Sequence, residues 1–160
     1  MPDKTSAAGD EPLAGAIAPL IERQATHDDA ATDRQVVFSP RADGGMGFTL
    51  ADGIASIHGW DLAFVGLADM PWVSPTKLRM LLARARSDGA GWDILQPLHF
   101  RVPGHPVGFR ATLFPALRAL AGDEGARQVV RAHRDRVLQL PVLDAGVLLD
   151  VDTPAALAAR

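Results

Sequence analysis

The chain has 160 residues, 16 basic and 19 acidic side chains, a net charge of −3 and no cysteine. That length suits one compact domain, and 48% hydrophobic against 22% charged residues excludes a disordered tail or a coiled coil. Without cysteine there are no disulfides, thiolate metal sites or cysteine nucleophiles. No run approaches the ~20 apolar residues of a membrane span, and residues 1–13 lack the apolar stretch of a signal peptide, so the expected compartment is the cytoplasm.

Charge is unevenly spread. Residues 77–136 carry 11 basic and 5 acidic side chains, a balance of +6, and the rest of the chain carries −9. An anionic ligand or solvated helix faces both account for this. An acidic protein overall is a poor nucleic-acid binder, and Arg79, Arg84, Arg86, Arg131 and Arg134 are expected on outer faces, with at most Arg101, Arg110 or Arg127 reaching a ligand.

In chain order, residues 1–9 read as a disordered start and 10–160 as a single domain. Residues 10–24 read as a helix, with Asp10 as its cap and Leu13, Ile17, Leu20 and Ile21 at helical spacing. Residues 35–38 read as a short strand, and Gly44-Gly45-Met46-Gly47 as a turn into a helix ending near His58. The run Leu62 to Leu67, apolar on both faces, reads as a buried parallel strand and the best central one. Ser74-Pro75 is a cap followed by proline at the first helical position, and Leu78, Leu81, Leu82 and Ala85 continue that helix until Gly89. Strand-like pieces around 94–95 and 99–101 precede the loop 104–109. A helix over 113–120 and another to about His133 follow, then a strand over 146–150, the cap Thr153-Pro154 and a closing helix. Strands alternating with helices imply an α/β domain with a mostly parallel sheet.

In such sheets ligands collect at the carboxyl ends of strands. Asp69 lies just past the strand 62–67, and Asp150 and Asp152 lie at the end of 146–150. Two carboxylates there suit Mg²⁺, which leaves its remaining positions to water and phosphate; helix capping explains them equally well. The glycines around Met46 offer backbone N–H groups to an anion or a base, or form an ordinary turn. His105, between Gly104 and Pro106, sits in a loop and not on an apolar face, where it either touches a ligand or is solvated. His27, His58, His99 and His133 share no metal-ligand spacing. Trp60, Trp72 and Trp92 read as packing residues.

Gly45-Met46-Gly47 with Leu50-Ala51-Asp52-Gly53, Leu67 to Pro71, Gly104 to Val107, Gly122 to Arg127 and Leu148 to Pro154 follow one another as in the molybdenum cofactor cytidylyltransferases. By these motifs the chain resembles the MobA-like nucleotidyltransferase family from about Asp10 to its end. The resemblance implies a Rossmann-like three-layer α/β/α sandwich of the nucleotide-diphospho-sugar transferase type. It also implies Mg²⁺-dependent transfer of CMP, or of GMP, from an NTP to a molybdopterin-type cofactor, with release of pyrophosphate. CTP is the expected donor over GTP. Carried over by position, Asp69 resembles the principal Mg²⁺ ligand and Asp152 or Asp150 the second. Gly45, Met46 and Gly47 resemble the segment beside the nucleotide, and Gly104, His105 and Pro106 a loop lining the pterin side.

The family opens with a strand and a basic glycine-rich loop that holds the triphosphate. Ala7-Ala8-Gly9 matches only a fragment of it, so the chain resembles the family domain without its first ~50 residues. If 35–38 and 62–67 are then the third and fourth strands, no strand lies between them. The open edge is expected to close by pairing of those two strands, or under the 10–24 helix, another copy or a second polypeptide. Activity is expected where the missing loop is supplied. The alternative is a non-catalytic module that binds molybdopterin or a protein such as a molybdoenzyme or chaperone. Neither nucleic acid nor membrane is an expected partner.

Overall fold

In the computed structural model residues 36–87 and 91–153 are described, and the chain from Val37 onward forms one compact unit. Helix α1 spans Met46–Ser56, strand β1 Leu62–Val65 and helix α2 Pro75–Ser87. Strands β2 (Ile94–His99), β3 (Val102–Pro103) and β4 (Val107–Arg110) follow. Helices α3 (Phe114–Arg118) and α4 (Arg127–Ala132) then lead to strand β5 (Val137–Pro141) and a 3₁₀ turn over Ala145–Leu148. No described helix is long and apolar enough to cross a membrane.

Strand β2 organises the sheet. It pairs with β4 through Ile94 and Leu95, with β3 through Leu98 and His99, and with β5 from Ile94 to Leu98. β1 pairs with β4 along its whole length, giving the order β1-β4-β2-β3 with β5 on the other edge of β2. Successive side chains on a strand face opposite ways, so Ile94 and Leu95, both fully buried, anchor two separate cores. Ile94 joins Ala63, Val107 and Phe109 under α1, α3 and α4 through Ala51, Ile54, Phe114, Leu117 and Val129. Leu95 joins Leu62, Phe64, Leu138 and Leu140 under Leu81 and Ala85 of α2, beside the buried Trp92. The result is the expected three-layer α/β/α arrangement.

The sheet is mixed. β2 and β5 pair in parallel, whereas β1–β4, β4–β2 and β2–β3 are antiparallel. Three strands, β1, β2 and β5, nevertheless run the same way, as helical crossovers require. The reversed strands β3 and β4 come from the 99–110 segment, which turns back at Phe100 and Arg101 (φ 43° and 71°). The expected loop over 104–109 therefore contains β4. The two expected strand pieces at 94–95 and 99–101 are instead the continuous β2 and its turn.

Four other expectations change. β1 stops at Val65 and is antiparallel, because β4 inserts between it and β2; among the described elements it is an edge strand, not a central one. Val36 to Phe38 form no strand and do not pair with β1, and Phe38 is 85% exposed. Residues 146–150 are no strand: the Asp144 side chain accepts from the Gly146 N–H at 2.8 Å and starts the 3₁₀ turn. β5, unforeseen, occupies the parallel position beside β2. The expected helices over 10–24 and after Pro154, and the stop at Gly89, lie outside the described residues. α2 begins as expected, with Lys77 N–H donating to Ser74 Oγ at 3.3 Å.

Three features generate tests of this fold. Asp93, just before β2, accepts from Arg136 Nε at 2.9 Å and from Thr112 Oγ1 at 3.1 Å, tying β2 to the segments before α3 and β5. The Arg136 hydrogen bond, with help from Thr112, holds the Asp93 carboxyl below the usual carboxylate range against the opposing effect of burial. Its stabilising effect is complete above the ordinary carboxyl pKa of about 3.9 and is lost as pH falls through the depressed folded value. The thermal midpoint should therefore drop on acidification through that window, and Asp93→Asn should flatten the drop; a parental acid limb in the variant contradicts the role. Gly45 has φ 115°, and a Cβ there would lie 2.3 Å from Asp123 Oδ1 and 2.6 Å from the Gly122 backbone. Gly45→Ala should cost about 1–3 kcal/mol or more in denaturant unfolding. Gly53, inside α1 with nothing within 4 Å of its missing Cβ, should gain about 0.5–1 kcal/mol as Gly53→Ala.

Candidate functional site

The loops at the carboxyl end of β1 and at the β2 end converge through backbone contacts. Asp69 is exposed in the turn after β1, and its carbonyl accepts from Val151 N–H at 2.8 Å. Asp150 and Asp152, both exposed, flank that Val151. One hydrogen bond thus brings the two aspartate segments together across 82 positions of sequence, from residue 69 to residue 151. The neighbouring 3₁₀ turn is held against the same loop, since a Cβ at Gly146 would lie 2.3 Å from the Trp72 carbonyl. Lys77, at the start of α2, pairs with Asp144 at 3.8 Å and ties that turn to the helix.

The Gly104-His105-Pro106 loop, between β3 and β4, enters this cluster. Gly104 N–H donates to the Pro97 carbonyl and His105 N–H to the Val147 carbonyl, each at 2.8 Å. A Cβ at Gly104 would lie 2.5 Å from that same Val147 oxygen, so only glycine allows the approach. The His105–Pro106 bond is cis.

Two cavities meet at His105. A smaller one of about 230 Å³ is lined by Gly66, Leu67, Met70, Leu78, His105 and Pro106 and is largely apolar. A larger one of about 340 Å³ runs past His105 to Gln96, Val107, Arg127 and Arg131. Among the described residues the half-buried His105 Nδ1 has no hydrogen-bond partner. Burial, first, and the Arg127 charge push its pKa down, against the Val65 backbone and Asp69, which raise it. Burial therefore keeps the ring neutral at pH 7, and its Nδ1 is enclosed without a hydrogen-bond partner.

Gly45, Met46 and Gly47 stand apart from both cavities. Gly47 N–H donates to the Gly122 carbonyl at 2.7 Å, and Met46 Sδ lies 3.0 Å from where a Cβ of Gly125 would be. The turn therefore leans on the 122–126 loop, directly after which Arg127 opens α4 and lines the larger cavity. Of the basic segment, Arg127 reaches a cavity as expected, and Arg131, expected on an outer face, lines the same one. Its signal was in the sequence: four residues on from Arg127, it shares a helix face. Arg110 instead stacks on Trp92, 4.1 Å from the ring centroid, and Arg101 sits in the exposed β2–β3 turn. Gln96 had no sequence signal, because only the pairing of β2 turns it toward the cavity.

Among the described residues no three His, Asp or Glu side chains converge as a metal cage. Asp69, Asp150 and Asp152 are exposed on segments joined by the Val151–Asp69 backbone bond, and exposed carboxylates are the ligand type of a hard divalent ion completed by water and phosphate.

The profile of the MobA-like NTP transferase domain matches residues 7–137. The purine catabolism protein PucB of Bacillus subtilis is 34% identical over 116 residues, 71% of this chain. Those residues are 54% of PucB, so the chain spans about half the length of that curated relative. Rv0371c of Mycobacterium tuberculosis superposes with TM-score 0.63 and 26% identity over 92% of this chain and 70% of its own. Its complex with manganese gives 0.62 over 92% and 72%. Molybdopterin-guanine dinucleotide biosynthesis protein A of Archaeoglobus fulgidus shares the fold, at TM-score 0.53 and 21% identity over 86% of this chain and 72% of that one. With the profile covering most of its length, the chain belongs to the MobA-like NTP transferase family.

Proposed function

We propose that this chain carries the metal and acceptor side of a nucleotidyltransferase that moves CMP, or alternatively GMP, from an NTP to a molybdopterin-type cofactor. The observation that carries the reading is the Val151–Asp69 hydrogen bond, which sets Asp69 beside Asp150 and Asp152 at a strand's carboxyl end, next to the cavities that share His105. Family membership supports the reaction class. The manganese bound by Rv0371c supports a divalent ion, and the name of the Archaeoglobus protein supports a molybdopterin acceptor.

In the reaction an acceptor phosphate oxygen attacks the α-phosphorus, the bond from that phosphorus to the bridging oxygen breaks, and pyrophosphate leaves. Asp69 with Asp150 or Asp152 would hold Mg²⁺, which supplies charge neutralisation at the α-phosphate. Arg127 and Arg131 place positive charge in the larger cavity for an anionic acceptor. Neutral His105 forms the wall between that cavity and the apolar one, and Leu67, Met70 and Pro106 keep water from the smaller side. The Gly45–Gly47 turn serves the nucleotide.

Pyrophosphate release tests this with the chain fused to the basic glycine-rich opening segment of a family relative, Mg²⁺, molybdopterin and either CTP or GTP, CTP being the better donor. Asp69→Asn should lower kcat by about a hundredfold or more while leaving the thermal midpoint near parental, because Asp69 is exposed. A parental rate in Asp69→Asn removes Asp69 from the metal site; release that does not depend on a divalent ion removes the metal from the reaction.

A further inference from the structure

The stretch Leu50-Ala51-Asp52-Gly53 takes no part in either cavity, yet its aspartate makes the densest set of side-chain contacts near the Gly45–Gly47 turn. Ser39 Oγ donates to Asp52 Oδ2 at 2.6 Å, and Arg41 Nη2 donates to Asp52 Oδ1. The Arg41 guanidinium also lies over the Phe48 ring, 4.9 Å from its centroid. Between these anchors the chain makes a 3₁₀ turn over Ala42–Gly44, with Gly44 N–H on the Arg41 carbonyl at 2.9 Å and Gly45 N–H on the Ala42 carbonyl at 3.0 Å. Phe48 closes the ring from inside, 2.7 Å from where a Cβ of Gly44 would stand. On the far side, the Gly47 N–H bond to Gly122 holds the turn at 2.7 Å.

An exposed ion pair adds little to global stability. The consequence of this one is local: residues 39–45 have no strand to hold them, and Asp52 is the fixed point on α1 to which they are tied. Both Asp52 oxygens are engaged, and the Arg41 bond, ahead of the Ser39 bond, keeps the carboxyl ionised by lowering its pKa. Preorganising a loop in its bound conformation lowers the ordering cost of binding.

We propose that Asp52 is a positioning residue for the nucleotide: through Ser39 and Arg41 it clamps the approach to the Gly45–Gly47 turn, so that the turn is formed before the NTP arrives. This rests on the reading that the turn serves the nucleotide.

The test compares the full parental chain with Asp52→Asn and Asp52→Glu by two readouts. One is the rate of tryptic cleavage at the Arg41–Ala42 bond, with fragments identified by mass. The other is KM for CTP and kcat in the pyrophosphate assay. In Asp52→Asn the Arg41 bond should be cut about fivefold faster with other tryptic sites unchanged, KM should rise about fivefold and kcat should stay within about twofold. Asp52→Glu, which keeps the charge, should recover most of both effects. A parental KM in Asp52→Asn, or a raised KM without faster cutting at Arg41, overturns the proposal while the nucleotidyl-transfer reading stands. So does a joint fall of kcat and thermal midpoint with KM unchanged, the signature of a structural role. Absence of CTP turnover in the parental chain with the glycine-rich loop supplied fails the nucleotidyl-transfer reading itself and takes the positioning role with it.

Discussion

β2 has no solvent-facing edge over most of its length, and the candidate site depends on that. Its first half is fixed by the full burial of Ile94 and Leu95 on opposite faces and by β4 and β5 on its two edges. Its second half lies outside the two apolar clusters, although Pro97 and His99 are buried. There the strand presents carbonyls to the loops: Pro97 accepts from Gly104 and Leu98 from Val142, while His99 Nδ1 meets the Val142 carbonyl at 3.0 Å. Leaving a buried backbone group unpaired costs about 1–3 kcal/mol, so these loops are bound to the strand with little freedom to shift. Val142 leads to the Asp144–Val147 turn, which holds His105 and Trp72, and then to Val151, which holds Asp69. A rigid strand with no carboxylate of its own thus determines where the carboxylates stand.

Charge is divided across this frame. Asp69, Asp150 and Asp152 remain exposed at the end of β1, and Arg127 and Arg131 lie across the larger cavity, with His105 between the two sets. A ring held neutral by burial adds no charge to either side. The acidic rest of the chain and its basic middle therefore meet at one place, where a divalent cation and a polyanion would each find opposite charge. Solvated helix faces still account for part of the basic segment, since Arg131 also pairs with Glu124 and Arg136 with Asp93.

Much of this was legible in the residues. Ser74-Pro75 and the spacing of Leu78, Leu81 and Ala85 mark α2 because a cap and a helical stripe are local signals, and the glycines before Met46 mark the start of α1 in the same way. β4 was not legible: it follows Gly104 and Pro106 and contains Gly108, all of which read as loop, and it becomes a strand only because β1 and β2 both supply hydrogen-bond partners. β5 ends in Pro141 and directly follows a helical pattern, so its strand character also comes from β2. The opposite error occurs at 146–150, an apolar run that reads as a buried strand. There Gly146 is pressed against the Trp72 carbonyl and its N–H is taken by Asp144, leaving no backbone to pair. Local signals thus identified the helices, and pairing partners distant in sequence decided the strands.

The motifs were legible as a set for a related reason. Each is weak alone because a short glycine, proline or aspartate cluster has an ordinary local explanation. In the structure they are one another's contacts: Gly45 and Gly47 lie on Gly122 and Asp123, Gly104 and His105 on Val147, and Asp69 on Val151. Loops that touch backbone to backbone need a glycine on at least one side: a Cβ at Gly45, Gly47 or Gly104 would lie within 2.7 Å of the partner's backbone. The restriction appears in the sequence as small residues recurring in a fixed order, although none of them carries chemistry. The order of the motifs therefore reports how the loops are assembled, while the carboxylates proposed to hold the metal, Asp69 above all, are side chains that those contacts leave exposed.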